Sequence, residues 1–213
     1  MTYPSGAMAR LMALCGALAP PVFVASAAAA VLATPGYSSV DTALSALAGP
    51  GAPYPWLIGA GFAGYGMLVQ AIGPLLYAVA GRGRLGWAVW GFVVAYGTGG
   101  VLAAVFRTAH PGPVLWGVSE GAVHGAVARV SFAAILLLML VVPWALRREP
   151  SWRAWRRFSL AMAVLSAALL VPFELDAWPE GRGLVQRGFF LSTMAWVEVT
   201  SLRLFRLAGA RAP

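Results

Sequence analysis

Six runs of apolar residues, at about 11–33, 55–80, 85–106, 122–146, 158–174 and 184–206, alternate with short segments that hold most of the charge in the chain. An α-helix needs roughly 20 apolar residues to cross a hydrocarbon layer ~30 Å thick. The runs have that length, far beyond the ~10-residue alternating segments of a membrane β-barrel. The pattern predicts an all-α polytopic membrane protein, a single six-helix transmembrane domain over residues 1–213, with little chain left for a soluble domain.

Composition agrees, at 60% hydrophobic and only 10% charged residues. The charges then orient the helices. With a cytoplasmic N-terminus, one side holds Arg10, Arg82, Arg84, Arg147, Arg148, Arg153, Arg156, Arg157, Arg203, Arg206 and Arg211, and the other only Arg107, Arg182 and Arg187. The positive-inside bias therefore places both termini inside. Tryptophans mark the same two interfaces: Trp56, Trp116 and Trp178 outside, Trp87, Trp90, Trp144, Trp152 and Trp155 inside, with Trp196 deep. The net charge of +8 is thus accounted for by topology and anionic lipid, and no nucleic-acid partner is expected.

Arg10, the following apolar run and Ala25–Ala30 also fit a secretory signal, but a retained first helix keeps the termini on one side. Pro20 and Pro21 are expected to kink that helix. Cys15 is the single cysteine, so no intrachain disulfide is expected. Gly91, Ala95, Gly99 and Ala103 recur every four residues on the third run, and Gly121 with Gly125 opens the fourth. Such small-residue stripes let helix backbones meet, either within the bundle or across a homodimer.

Function is sought among the polar residues, because ionisable groups in a bilayer are costly to retain. Asp41 with Ser38 and Ser39 lies in the first outer loop. Arg107, His110, Glu120 and His124 surround the second, and Glu174, Asp176, Glu180, Arg182 and Arg187 the third. Arg129, Glu198 and Gln70 lie within the runs. Glu120 and His124 share a helix face, a spacing that suits two ligands of one metal ion, with His110 or Asp41 completing the set from a loop. The same spacing lets His124 bond a loop carbonyl instead. No cofactor is expected, and His110, Glu120 and His124 are the metal candidates if one is held. Arg187 and Glu198 fall on one stripe of the last helix. Glu198 needs a partner at its depth, and Arg129 is the expected one, forming an intramembrane pair.

Four segments resemble the bacterial membrane family catalogued as domain of unknown function 998: Ala19–Gly61, including Pro35-Gly36-Tyr37-Ser38-Ser39-Val40-Asp41; Phe106-Arg107-Thr108-Ala109-His110-Pro111-Gly112; His124-Gly125; and Gly183-Leu184-Val185-Gln186-Arg187. The resemblance implies six membrane helices in a bacterial cytoplasmic membrane and no established activity. Where family members often carry an acidic residue, this chain has His110. The shared positions Tyr37, Ser38, His124 and Arg187 all fall on the outer side in the topology above.

Three function classes follow. In the first, the protein binds or handles a membrane lipid or hydrophobic small molecule, with Tyr37, Ser38, Asp41, His124 and Arg187 meeting its head. In the second it is a membrane-embedded enzyme. One form is a metal-dependent hydrolase using His124, Asp41, Glu120 and His110; the other is an acid–base enzyme on an isoprenoid-like substrate, with Asp41 or Glu174 as proton donor. In the third it is an assembly subunit, contacting a second chain through Gly91, Ala95, Gly99 and Ala103. Nucleotide loops, Cys-rich metal motifs and nucleophile elbows are absent from the sequence.

Overall fold

The computed structural model describes residues 5–209, and Arg211 lies outside them. The fold is helical throughout. Helix α1 runs over Ala7–Leu32, α2 over Pro55–Gln70, α3 over Gly73–Val79, α4 over Arg84–Val105, α5 over Glu120–Ala145, α6 over Arg153–Glu174 and α7 over Arg182–Gly209. A small hairpin, β1 (Pro113–Leu115) with β2 (Val118–Ser119), joins α4 to α5. Its two turn residues, Trp116 and Gly117, both take positive φ, as a type I′ turn requires.

Five passages are long and apolar enough to cross a membrane: α1, Pro55–Val79, α4, α5 and Pro150–Glu174. The chain is an integral membrane protein. Helix α7 is 28 residues long but carries Arg182, Arg187, Glu198, Arg203 and Arg206, and falls outside that set. It nevertheless runs the length of α1. Near its start, Leu184 N–H donates to Val40 C=O beyond the end of α1, and near its end Ala208 C=O accepts from Gly6 N–H.

The second passage corrects the sequence expectation of one unbroken helix over 55–80. It stops at Gln70 and resumes at Gly73. Pro74 has no N–H for the Gln70 carbonyl and its ring crowds that carbonyl, so Ala71 and Ile72 turn their N–H groups to Leu68 and Val69, each at 3.2 Å. Helix α1, by contrast, continues through Pro20 and Pro21.

The helices form a ring in chain order. α1 packs on α2, α2 on α4, α4 on α5, α5 on α6, α6 on α7, and α7 back on α1. Loops 33–54, 106–119 and 175–181 gather at one end, the roofed end, and the described chain termini meet at the other. Glycine sets two of these contacts. A Cβ on Gly66 would lie 2.3 Å from the Gly97 carbonyl, so α2 and α4 touch backbone to backbone. A Cβ on Gly99 would lie 1.5 Å from Ser131 Oγ of α5. Gly99 and Ala103 are therefore committed within the ring, whereas Gly91 has nothing within 4 Å and forms the open end of that stripe.

The ring is filled away from the roofed end. Trp196 is fully buried there, its Nε1 donating to Ser159 Oγ at 2.6 Å, and Ser159 Oγ donates in turn to the Met139 carbonyl at 2.9 Å. Trp155 Nε1 donates to Thr200 Oγ1 at 3.2 Å. Satisfying every indole N–H lets these rings pack without an orphaned donor.

Candidate binding cavity

Between the tryptophan-filled half of the ring and the roof lies a cavity of about 450 Å³. Its floor and walls are aromatic. Phe23 of α1 stands edge-on to Phe190 of α7 at 5.6 Å between ring centroids and tilted against Phe62 of α2 at 5.4 Å. Phe132 of α5 meets Phe190 at 6.0 Å. Tyr65 and Tyr96 place their hydroxyls 2.9 Å apart across α2 and α4, with rings T-shaped. The roof is backbone from two loops, residues 43–50 and Thr108 with Ala109, which touch where Gly49 lies against the Thr108 carbonyl.

Polar groups line the upper wall. His124 is 6% exposed, with Nδ1 2.7 Å from the Phe106 carbonyl. A carbonyl only accepts, so Nδ1 carries the proton and Nε2 is left as an acceptor, with no hydrogen-bond partner among the described residues. Gln186 of α7 is 3% exposed and accepts the Leu44 N–H through Oε1 at 2.5 Å, fixing the roof from below. Ser131 lies two turns from His124 on the same face of α5, and its buried Oγ has no hydrogen-bond partner among the described residues. At the mouth, Arg129 Nε donates to Glu174 Oε2 at 3.0 Å, tying α5 to the last residue of α6.

The sequence profile of the family described as Protein of unknown function (DUF998) matches residues 17–203, a span from α1 into α7 that takes in the whole cavity. The chain belongs to DUF998. No curated protein and no solved structure matches it.

In this DUF998 protein the residues singled out by sequence divide into cavity and scaffold. His124 lines the cavity and bonds a loop carbonyl. Arg187 and Tyr37 form the scaffold under the first loop. Arg187 Nη1 donates to the Ser39 carbonyl at 2.8 Å, the Gly183 carbonyl at 3.0 Å and the Thr42 carbonyl at 3.2 Å, and Nη2 donates to Tyr37 Oη at 2.7 Å. Tyr37 Oη passes its own proton to Thr42 C=O at 2.9 Å. Burial pushes this phenol above its usual range, and the Arg187 bond offsets only part of that. Ser38 Oγ faces the N–H groups of Val40 and Asp41, both at 3.4 Å, in an exposed turn. Asp41 takes the Thr42 hydroxyl at 2.8 Å, and the Thr42 and Ser38 hydroxyls hold its carboxyl below the ordinary range. A ligand head held jointly by Tyr37, Ser38, Asp41 and Arg187 finds no support in this arrangement.

Of the metal candidates, Glu120 and His110 meet, and His124 does not join them. Glu120 closes on Arg107 through Nε at 3.0 Å and Nη2 at 3.1 Å, and accepts the Arg107 backbone N–H at 2.6 Å. His110 Nδ1 lies 3.1 Å from Glu120 Oε2 and accepts the Gly112 N–H at 3.1 Å. His124 turns instead to Phe106. Among the described residues no three of His, Cys, Asp and Glu converge as a metal would need.

The expected Arg129–Glu198 pair is replaced by Arg129–Glu174. Arg129 lies nine residues into α5, roughly 13 Å from the roofed end, and Glu198 sixteen into α7, roughly 24 Å from it. Side chains lean toward a helix N-terminus and long cations reach for the interface, so Arg129 meets Glu174 above it rather than Glu198 below. Glu198 Oε2 is buried without a hydrogen-bond partner among the described residues.

Gln186, Tyr65, Tyr96 and Ser131 were not picked out as site residues from the sequence. His124, Ala128 and Ser131 do fall on one stripe of α5, a signal that finds Ser131. The tyrosines carry none, because every apolar run of the chain contains aromatic residues.

Proposed function

We propose that this protein is a six-pass protein of a bacterial cytoplasmic membrane whose cavity, set toward the outer face, holds a lipid or hydrophobic small molecule. The topology rests on charge. With α7 as a sixth crossing, Arg107, Arg182 and Arg187 lie at the roofed end and ten of the described arginines at the other, so the positive-inside rule turns the roof outward. The function rests on one observation, a partly open, aromatic-walled volume of about 450 Å³ with a few polar atoms at its upper rim. Small-molecule sites have this build, roughly 300–1,000 Å³ of mostly apolar lining with a few groups that orient the ligand.

The aromatic faces take the body of such a molecule, and His124 Nε2 lies at the upper rim with no hydrogen-bond partner among the described residues. Native mass spectrometry of the protein released from a mild detergent tests this. The wild type is expected to retain a small organic molecule, and Ala128→Phe, which places a ring in the cavity, to lose it while staying folded. A wild-type protein that carries nothing after gentle extraction, or Ala128→Phe carrying the same adduct, would sink the reading.

A further inference from the structure

Four arginines stand near the roofed end, and they differ in what they have left to give. Arg107 is closed on Glu120 through Nε and Nη2. Arg187 is spent on three carbonyls and a phenol. Arg182 gives Nη1 to Asp176 and lays its plane over the Phe173 ring at 4.7 Å. Arg129 gives Glu174 its Nε alone, and neither Nη group has a hydrogen-bond partner among the described residues. Its side chain is 69% exposed and lines the cavity. A guanidinium held by Nε presents its remaining N–H groups as a fork, the geometry that accepts two oxygens of a carboxylate or phosphate.

The seam beside Arg129 is the natural way in. Ser159 Oγ on the Met139 carbonyl ties α6 to α5 in the filled half of the ring, and the Arg129–Glu174 pair ties them at the mouth. Phe132 of α5 and Phe173 of α6 line the cavity between those levels. A chain passing between the two helices leaves its head at Arg129. The partly open volume of about 450 Å³ matches one aliphatic or isoprenoid chain better than the two chains of a diacyl lipid.

We infer that the occupant is a single-chain amphiphile with an anionic head, carboxylate or phosphate, and that the Nη fork of Arg129 holds that head while Glu174 fixes the fork's orientation. This rests on the cavity reading above and adds the charge and shape of the ligand.

The test is equilibrium binding of palmitate, hexadecyl phosphate and hexadecanol to the full chain in phosphatidylcholine nanodiscs, with empty nanodiscs subtracted. The wild type is expected to bind an anionic probe about fivefold more tightly than hexadecanol, the upper end for a solvent-exposed ionic contact. Whichever anion binds tighter identifies the head. Arg129→Gln should abolish that preference while still binding hexadecanol, and an unaltered circular-dichroism spectrum reports an intact fold. Arg107→Gln, removing equal charge from the same end, should keep the preference. Glu174→Gln keeps an acceptor for Nε–H, drops the like charge and should tighten palmitate. Equal binding of anions and alcohol, or a preference that survives Arg129→Gln, overturns the inference and leaves the cavity reading standing. If none of the three probes binds, or Ala128→Phe binds them unchanged, the cavity reading itself fails.

Discussion

Arg187 sits half-buried at the start of α7 with its Nη groups on the carbonyls of Ser39, Thr42 and Gly183 and on the Tyr37 phenol, so its charge is spread over dipoles and needs no carboxylate. Removing it strands those acceptors under the loop. Arg187→Met is expected to cost roughly 2–4 kcal/mol, read as thermal unfolding in detergent together with faster proteolysis within residues 33–54. A loss no larger than that of an exposed arginine such as Arg153 would refute the strap. The pH dependence follows from Tyr37, whose phenol is raised by burial above the reference value of 10.0. The neutral phenol's bonds are then fully present below pH 10 and lost as pH rises through the folded-state value. The tyrosinate absorbance titration that disappears in Tyr37→Phe should therefore fall above pH 10, and a transition at or below it would contradict the burial argument. The sequence marks Tyr37 and Arg187 as polar residues of the outer side without naming their partners. A loop polar residue bonded to its own backbone and one that meets a ligand look alike until the partners are known.

At the scale of elements, close approach depends on what a side chain would strike. A Cβ on Gly66 meets the Gly97 carbonyl at 2.3 Å, backbone that moves only if α2 and α4 separate, whereas one on Gly99 meets the Ser131 hydroxyl, which can rotate away, and the Ser131 Cβ at 2.9 Å, which needs only a small shift. Gly66→Ala should thus destabilise by about 1–3 kcal/mol, Gly99→Ala by less, with Ser131→Ala recovering part of the Gly99→Ala loss, and Gly91→Ala should be neutral. Thermal unfolding of the four variants checks the order, and a Gly91→Ala defect as large as that of Gly66→Ala would show that the stripe is occupied at its open end. The helices themselves were legible: apolar runs at 85–106 and 122–146 correspond to α4 at Arg84–Val105 and α5 at Glu120–Ala145. The break after Gln70 was legible in principle from Pro74 but was outweighed by unbroken hydropathy. Glu198 and Glu174 look equally open to Arg129 along the sequence, because the choice depends on depth, and depth depends on where each helix starts.

For the whole molecule, the ring order places both described termini at one end and the β1–β2 hairpin at the other. A reporter that works only in the cytoplasm should be active when fused after Pro213 and silent when inserted between Trp116 and Gly117. The reverse would invert the proposed topology, and activity at both sites would remove a crossing. Cavity and topology differ in how much the chain discloses. Charge asymmetry is a one-dimensional property and can be counted along the sequence, whereas the cavity exists only where six non-adjacent segments converge. Three of the Arg187 bonds join residues 145–150 positions apart, from α7 back to the first loop. During synthesis these bonds form only once α7 is made, so a chain cut short before Arg187 lacks them, although residues 44–48 can still pack on α2 and Gly49 against Thr108. The loop over residues 33–54 should therefore be cleaved more readily in a chain truncated before Arg187 than in one that carries α7, a difference that limited proteolysis reads.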